Sequence, residues 1–327
     1  MKWVKKGLIF KPDGRYEWMV SHAQVPISDK VSDDVLRIYY GPRDKFNRTV
    51  TAYIEVEADN PKHVLYVHEK PVLGLGETGC FDDSGAMPCC IVNHKGAKYL
   101  FYTGWNLAAT VPYRLSIGLA VSHDNGQTFT RLYDGPVLDR IYSEPHWCAG
   151  PWVIVENGRW RMWYLSCIKW EAYKGKLEPY YNIKYADSSD GINWKREGIV
   201  SIELKSPDEA ALSRPYVVKT DDGVYKMWYG YRGVRDFRTN KGHSYRIGYA
   251  ESFDGIKWTR KDEFVDLNVS RTGWDSIMVT YPNLYEHKGK TYMLYNGNGF
   301  GRSGFGYAVM SEMSRKCNSE DKLDREG

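Results

Sequence analysis

Five short leaders, AQVP, GAMP, CAGP, LSRP and VTYP, end at Pro26, Pro88, Pro151, Pro215 and Pro282, with spacings of 62, 63, 64 and 67 residues. Chance does not keep such a register, and a repeat of this length restricts the chain to folds assembled from like units. Each leader opens a strand, and beyond a turn follows an aromatic strand: VLRIYYGPR, AKYLFYTGW, RWRMWYLS, VYKMWYGYR and KTYMLYNGN. Three units continue into an alternating strand, LSIGLAVS, YNIKYADS or YRIGYAES, which ends in an Asp–Gly element, SHDNGQTF, SSDGINW or SFDGIKW.

A unit that reads strand, turn, strand, long loop, strand, Asp–Gly turn, strand describes a four-stranded antiparallel blade. The expected fold class is all-β: a five-bladed β-propeller with blades at about residues 20–70, 80–135, 145–200, 208–264 and 275–310. The fifth unit runs out after FGYAVM, so an N-terminal strand at residues 7–19 is expected to supply the missing outer strand and close the ring. One domain, 1–310, then precedes a charged tail at 311–327. The 26 Tyr, 12 Trp and 31 Gly suit strands and turns more than helices.

Charge and cysteine usage exclude several classes. A net charge of +4 does not suggest bulk binding of nucleic acid. The N-terminus has no apolar signal region, and no run of 18 apolar residues occurs. Cys80, Cys89, Cys90, Cys148, Cys167 and Cys317 show no CxxC spacing, which argues against a disulfide framework or a zinc site. The expectation is a soluble cytoplasmic protein with reduced thiols and no membrane partner.

Strand parity separates the two faces of the ring. If the proline-led strand starts at the top, the Asp–Gly turns lie at the bottom, where Asp124, Asp190 and Asp254 fasten turns and Gly takes the positive φ. The long connections GWNLAATVPYR, CIKWEAYKGKLEPYY, YRGVRDFRTNKGHSYR and GNGFGRSGF fall on top, where function usually sits. The top rim then holds His22 and Gln24, Asp82 and Asp83, Glu144 and His146, Asp208, Glu209 and Arg214, and Asp275 and Tyr281 ahead of the leading prolines. Arg43, Trp105, Cys167, Lys169, Arg232 and Asn298 stand at the ends of the aromatic strands, and Arg302 follows.

Acids ahead of inner strands, together with FDDSGAMPCCIV, YLFYTGW, GRWRMWYLS and SRPYVVKTDDGVYKMWYG, resemble the five-bladed glycosidase superfamily of arabinanases, β-xylosidases, invertases and levansucrases and the related mannoside phosphorylases. The resemblance implies a sugar substrate in the central funnel and three acids, one from each of the first three blades, acting as base or nucleophile, as orienting group and as general acid. Matched residue by residue, Asp83 or Asp82 takes the second-blade place. Glu144 takes the third, although it stands seven residues before Pro151 and Ala149 occupies the place beside the Gly–Pro pair. The first blade departs from the pattern: SHAQVP has no acid, and His22 is its only ionisable group. Glu209, in the Asp208–Glu209 pair, offers a replacement acid. The expected catalytic set is therefore Asp83, Glu144, Glu209 and His22.

Substrate contacts are expected from Arg43, Asp82, Trp105, His146, Lys169, Arg214, Arg232, Tyr281, Asn298 and Arg302. Guanidinium forks suit carboxylate or phosphate, so the sugar is expected to be anionic or phosphorylated, or inorganic phosphate to be a co-substrate. No cofactor is expected; a structural divalent ion in the channel is compatible with the sequence, but no ligand spacing requires a metal. Plainer readings stand beside these: Asp83 and Glu144 as turn formers, His22 as a backbone partner, each arginine as half of an ion pair. Three alternatives for the whole chain follow: a non-hydrolytic carbohydrate-binding propeller, a sugar-processing enzyme of polysaccharide biosynthesis, and a sialidase-like enzyme. The last rests on the likeness of SHDNGQTF to a sialidase Asp box, an element found in propellers of many functions.

Overall fold

The computed structural model describes residues 1–311, so the charged tail from 312 onward lies outside the described residues. They form twenty strands, one 3₁₀ turn and one four-residue helical turn, Asn298–Gly301. The first strand, β1 (Trp3–Phe10), pairs antiparallel with the last one, Trp3 facing Met310 and Phe10 facing Phe305. It starts earlier than residue 7 and ends at Phe10, because Pro12 and Gly14 break the extended run. Residues 11–20 turn instead, with the Tyr16 and Trp18 rings stacked at 5.2 Å and Met19 buried.

The remaining strands come in sets of four. β2 (Ser21–Lys30), β3 (Val35–Arg43), β4 (Ala52–Glu57) and β5 (Val64–Val67) form one antiparallel sheet. β6 (Gly85–His94), β7 (Ala97–Leu107), β8 (Tyr113–Ser122) and β9 (Thr130–Arg131) form the next. β10 (Cys148–Glu156), β11 (Arg159–Tyr173), β12 (Lys176–Ser188) and β13 (Val200–Ile202) are joined to β14 (Glu209–Lys219), β15 (Tyr225–Gly233), β16 (Arg246–Ser252) and β17 (Thr259–Arg260) by a single parallel bridge, Tyr181 to Ala211. β18 (Thr280–His287), β19 (Lys290–Asn296) and β20 (Phe305–Met310) complete the chain, with β1 outside β20.

One expected loop is not a loop. CIKWEAYKGKLEPYY continues β11 into β12 as a regular hairpin, paired as far as Tyr173 with Lys176. Lys174 and Gly175 make its two-residue turn, with φ of 49° and 74°. Two consecutive positive φ values are what a tight hairpin needs to match strand twist.

Apolar clusters lie between neighbouring sets. Ile27 and Tyr39 meet Leu100 and Tyr102. Phe101 and Leu119 meet Met162 and Tyr164. Trp163 and Tyr185 meet Met227 and Tyr229, and Trp228 and Tyr249 meet Met293 and Tyr295. Ile38 and Tyr40 meet Leu294 and Phe305, so the first set also packs on the last. Each large apolar side chain buried this way contributes about 1.5–3 kcal/mol. Polar side chains add to the last seam: Asn296 accepts from Val25 N–H at 2.7 Å and donates to the Ala23 carbonyl at 2.7 Å.

The Asp–Gly elements are fasteners. Ser188 Oγ donates to Asp190 Oδ1 at 2.8 Å and accepts from Gly191 N–H at 2.9 Å, while Asp190 Oδ1 accepts from the N–H groups of Ile192 and Asn193, both at 2.8 Å. The Asn193 side chain and these N–H groups hold the Asp190 carboxyl well below its usual range. Asp124 and Asp254 repeat the pattern. The turns also receive bonds from neighbouring sets: the Tyr39 hydroxyl donates to the Gly126 carbonyl at 2.8 Å, and Trp163 Nε1 to the Gly255 carbonyl at 2.9 Å.

Candidate functional site

A cavity of about 510 Å³ opens where the starts of β2, β6, β10, β14 and β18 meet the ends of β3, β7 and β15. β8 fixes its orientation: Tyr113 and Leu115 at one end line the cavity, and Ser122 at the other belongs to an Asp–Gly turn. Eight aromatic side chains, Trp105, Tyr113, Trp147, Tyr181, Phe237, Tyr245, Tyr281 and Phe300, contribute to the wall. Trp105 is seated by a glycine: a Cβ on Gly85 would fall 1.6 Å from its Nε1. The Tyr181 and Tyr245 hydroxyls meet at 2.5 Å, and Trp147 lies 5.0 Å from the Tyr181 ring.

The charge on this wall is one-sided. Arg43, Arg214, Arg232, Arg238 and Arg302 line it against a single carboxylate, Glu178. Arg214 is almost wholly buried and laces three sets together, giving Nε and Nη2 to the Cys89 carbonyl at 3.1 and 2.7 Å and Nη1 to the Pro282 carbonyl at 2.7 Å. Arg232 lies over the Phe237 ring at 3.7 Å and donates to the Gly233 and Pro179 carbonyls at 3.0 and 3.2 Å. Arg238 pairs with Glu178 through both terminal nitrogens. Arg43 donates through Nε to Gln24 at 2.9 Å, and burial lowers its pKa from the ordinary value. Arg302 is exposed at the mouth.

His22 sits among these arginines with a left-handed backbone, φ 58°, and its Nδ1 2.9 Å from Ser21 Oγ. Burial first, then the charges of Arg43 and Arg302, push its pKa down to about 3. The ring is neutral throughout the physiological range.

The other expected catalytic residues do not line the cavity. Asp83 accepts from Gly79 N–H at 3.1 Å and from the Ser84 hydroxyl at 2.9 Å, within its own turn. Glu144 is buried in its set, accepting from the Tyr164 hydroxyl at 2.9 Å and from Ser166 Oγ at 2.9 Å, with Lys184 at 3.7 Å and Arg196 at 3.8 Å. Glu209 accepts from Arg260 at 2.7 and 3.0 Å and from Lys205 N–H at 2.7 Å.

Glu144 and Glu209 belong to a repeated clasp, and Asp82, not Asp83, makes it in the second set. In the second set Asp82, fully buried, takes the Tyr102 hydroxyl at 2.9 Å and Arg131 Nε at 2.8 Å. In the fourth, the Tyr229 hydroxyl donates to Asp262 at 2.6 Å, and Arg260 bridges Asp262 and Glu209. In the last, Asp275 takes the Tyr295 hydroxyl at 3.0 Å and Lys5 Nζ at 2.5 Å. Each clasp ties the second strand of a set to its outermost part.

Of the expected substrate contacts, Arg43, Trp105, Arg214, Arg232, Tyr281 and Arg302 line the cavity, and Asp82, His146, Lys169 and Asn298 do not. Lys169 pairs with Glu171 at 2.8 Å, pointing along an exposed hairpin. Asn298 clamps backbone, accepting from Ile277 and Met278 N–H at 2.7 and 3.2 Å. Sequence reasoning missed Trp147, Glu178, Phe237, Arg238 and Tyr245. Glu178 was hidden by the reading of its hairpin as a loop; the alternation of LEPYY with the facing KWEAY is the signal that marks it as strand. Among the described residues, no group of three His, Cys, Asp or Glu is arranged to hold a metal ion, and no helix is long and apolar enough to cross a membrane.

No protein-family model matches the chain. An uncharacterized protein of Mycobacterium tuberculosis, Rv1502, is 40% identical over 312 residues, covering 95% of this chain and 99% of its own. Among solved structures, a glycosyl hydrolase from Bacteroides ovatus superposes with a TM-score of 0.70 at 17% identity, covering 96% of this chain and 94% of its own. A thermostable family-43 glycoside hydrolase gives 0.64 at 17% identity, covering 89% and 88%. A structure from the GH130 family of mannoside phosphorylases, described as containing hydrolases that target β-1,2 mannosidic linkages, gives 0.67 at 17%, covering 95% and 94%. The fold is thus that of the β-propeller glycoside hydrolases and phosphorylases, and the chain belongs to the family of Rv1502.

Proposed function

We propose that the five sets of four strands form one closed five-bladed propeller, residues 1–310, whose funnel binds and processes a glycoside carrying a carboxylate or phosphate. Five apolar seams, including the one between first and last sets, support the ring. Buried free thiols at Cys89, Cys90 and Cys148 support a reducing, cytoplasmic setting. The observation that carries the substrate class is the lining of five arginines against one carboxylate that is already paired. Guanidinium groups facing a cavity without matching acids favour an anionic ligand. The aromatic wall suits the apolar face of a sugar ring.

The chemistry then falls to groups on the wall. Two-carboxylate hydrolysis wants two acids across the glycosidic bond. Asp83, Glu144 and Glu209 have their oxygens engaged elsewhere. Phosphorolysis is less demanding: a phosphate oxygen forms the new bond to the anomeric carbon as the glycosidic C–O bond breaks, and one protein group gives the departing oxygen its proton. Glu178, the one carboxyl on the wall, is the group for that role; the neutral ring of His22 carries no proton acidic enough to give. Binding without cleavage is the second reading, favoured by the pairing of Glu178 with Arg238.

Calorimetry with neutral glycosides, uronates and sugar phosphates, with and without inorganic phosphate and with product analysis, tests the proposal. Anionic sugars should bind about 10–100-fold tighter than their neutral counterparts, the worth of one charge-assisted hydrogen bond. Equal affinity for neutral and anionic sugars would overturn the substrate class. Tight binding without any product would replace processing by recognition.

A further inference from the structure

Three of the five guanidinia on the cavity are already engaged by the protein: Arg214 by the Cys89 and Pro282 carbonyls, Arg232 by those of Pro179 and Gly233, and Arg238 by Glu178. Arg43 and Arg302 differ. Gln24 fixes Arg43 through Nε alone, at 2.9 Å, so the terminal nitrogens have no protein acceptor among the described residues. Arg302 follows the helical turn Asn298–Gly301 and has none either. Both guanidinia act electrostatically on His22, and no acid offsets them there. Thr49 completes the corner: its backbone bridges that of Arg43, it lines the cavity at 1% exposure, and its buried hydroxyl has no hydrogen-bond partner.

We propose that Arg43, Arg302, His22 and Thr49 form the subsite for a phosphoryl group, either inorganic phosphate or the phosphate of a sugar phosphate. The proposal rests on the reading of the cavity as the site of an anionic sugar. Two guanidinia, one hydroxyl and one imidazole N–H offer more donors than the two coplanar oxygens of a carboxylate can use. A phosphate, with about −1.5 to −2 charge near neutrality and three terminal oxygens, matches both the count and the charge. Ser21 donates to His22 Nδ1 in this arrangement, so the neutral ring presents its Nε2–H to the ligand. The absence of an acid from SHAQVP then has a reason: a carboxylate there would neutralise the same two arginines.

The test is titration of the full chain with inorganic phosphate and, separately, with a hexose 1-phosphate, read by calorimetry and by the imidazole resonances of isotope-labelled histidine. Arg43→Gln and Arg302→Gln should each weaken phosphoryl binding by about tenfold or more, and Arg238→Gln by less than about threefold. Saturating phosphate should move the His22 titration to higher pH, because an anion beside it favours the charged ring. Equal affinity for the two ligands marks free phosphate as the occupant; clearly tighter hexose 1-phosphate marks the sugar's own phosphate; either supports the subsite. Should Arg43→Gln misfold, Arg302→Gln, on an exposed loop, carries the test. Loss of binding in Arg238→Gln with none in the other two overturns the subsite and spares the reading of the cavity. Binding of a uronate but of neither phosphate ligand overturns the phosphoryl assignment alone. Failure of every anionic ligand to bind overturns both.

Discussion

Acids at the starts of first strands and arginines at the ends of second strands fall at the same end of the repeat but meet different surroundings. Asp82, Glu144 and Asp275 precede the first strand of their sets and Glu209 begins its own, and they are received there by tyrosine hydroxyls or by cations of the same set. Arg43 and Arg232 close the second strand of theirs and line the cavity. An acid clasped by a hydroxyl and a cation has its charge balanced and at least one oxygen engaged, so it holds strands together. A buried guanidinium with no acid beside it is compensated when an anion arrives. Position in the repeat therefore does not distinguish a structural acid from a functional base; the partners do.

The largest effect expected on the acid side comes from Glu144→Ala. It would strand Lys184 and Arg196 beside a void and leave the Tyr164 hydroxyl without its acceptor. Breaking a buried pair by removing one partner costs about 3–5 kcal/mol. Urea denaturation should show that loss as a lower midpoint at unchanged slope, while the folded fraction keeps its affinity for anionic ligands within about twofold. A variant of native stability whose turnover is abolished would instead make Glu144 a catalytic residue and break the comparison.

A subtler test uses the one set that lacks a clasp. The first-set equivalent of Tyr102, Tyr164, Tyr229 and Tyr295 is Tyr40, whose hydroxyl meets the Met19 sulfur at 3.0 Å and no carboxylate. Tyr102→Phe should cost about 1.5–3 kcal/mol, as for a hydrogen bond to a charged group. Tyr40→Phe should cost about 0.5 kcal/mol or less, because a thioether is a weak acceptor. Equal losses would mean that the clasps do not depend on the carboxylate.

Most of the architecture was written in the periodicity. Pro26, Pro88, Pro151, Pro215 and Pro282 recur because each opens the same kind of strand, and alternation along LSIGLAVS or YRIGYAES reports one buried face directly. The arginines at strand ends were also legible, since parity alone decides on which face a strand ends. The acids were not. Asp82 and Asp83 are neighbours in sequence, yet one is fully buried under Tyr102 and the other closes a local turn. Whether a loop side chain turns toward the cavity or back into its own sheet depends on residues some 20 to 50 positions away, such as Tyr102 and Arg131. No local pattern carries that information. Arg238 failed for the same reason: it meets Glu178 across 60 residues, from a loop and a hairpin of different sets.

The smallest effect belongs to the arginine side and is read in pH. The unfolded chain protonates His22 near the ordinary histidine value of 6.5, whereas in the fold burial, Arg43 and Arg302 delay protonation until about pH 3. Between those values the unfolded state holds the extra proton, so stability falls as pH drops from about 6.5 toward 3 and is unaffected by this group above about 7. Carboxylates with lowered pKa values, such as Asp190, add losses of the same sign at lower pH, so the wild type alone does not isolate the histidine. His22→Asn does, since asparagine tolerates the left-handed backbone at φ 58°. Between pH 7 and pH 4 the wild type should lose on the order of 1 kcal/mol more than the variant, after allowance for screening by solvent. Saturating phosphate should shrink that difference, because the anion balances the same two arginines. Identical pH profiles for the two proteins would mean that neither burial nor the charges of Arg43 and Arg302 act on His22 in the fold; a difference that saturating phosphate leaves unchanged would mean that burial alone sets it, and that the contrast between paired acids and unpaired arginines is not real.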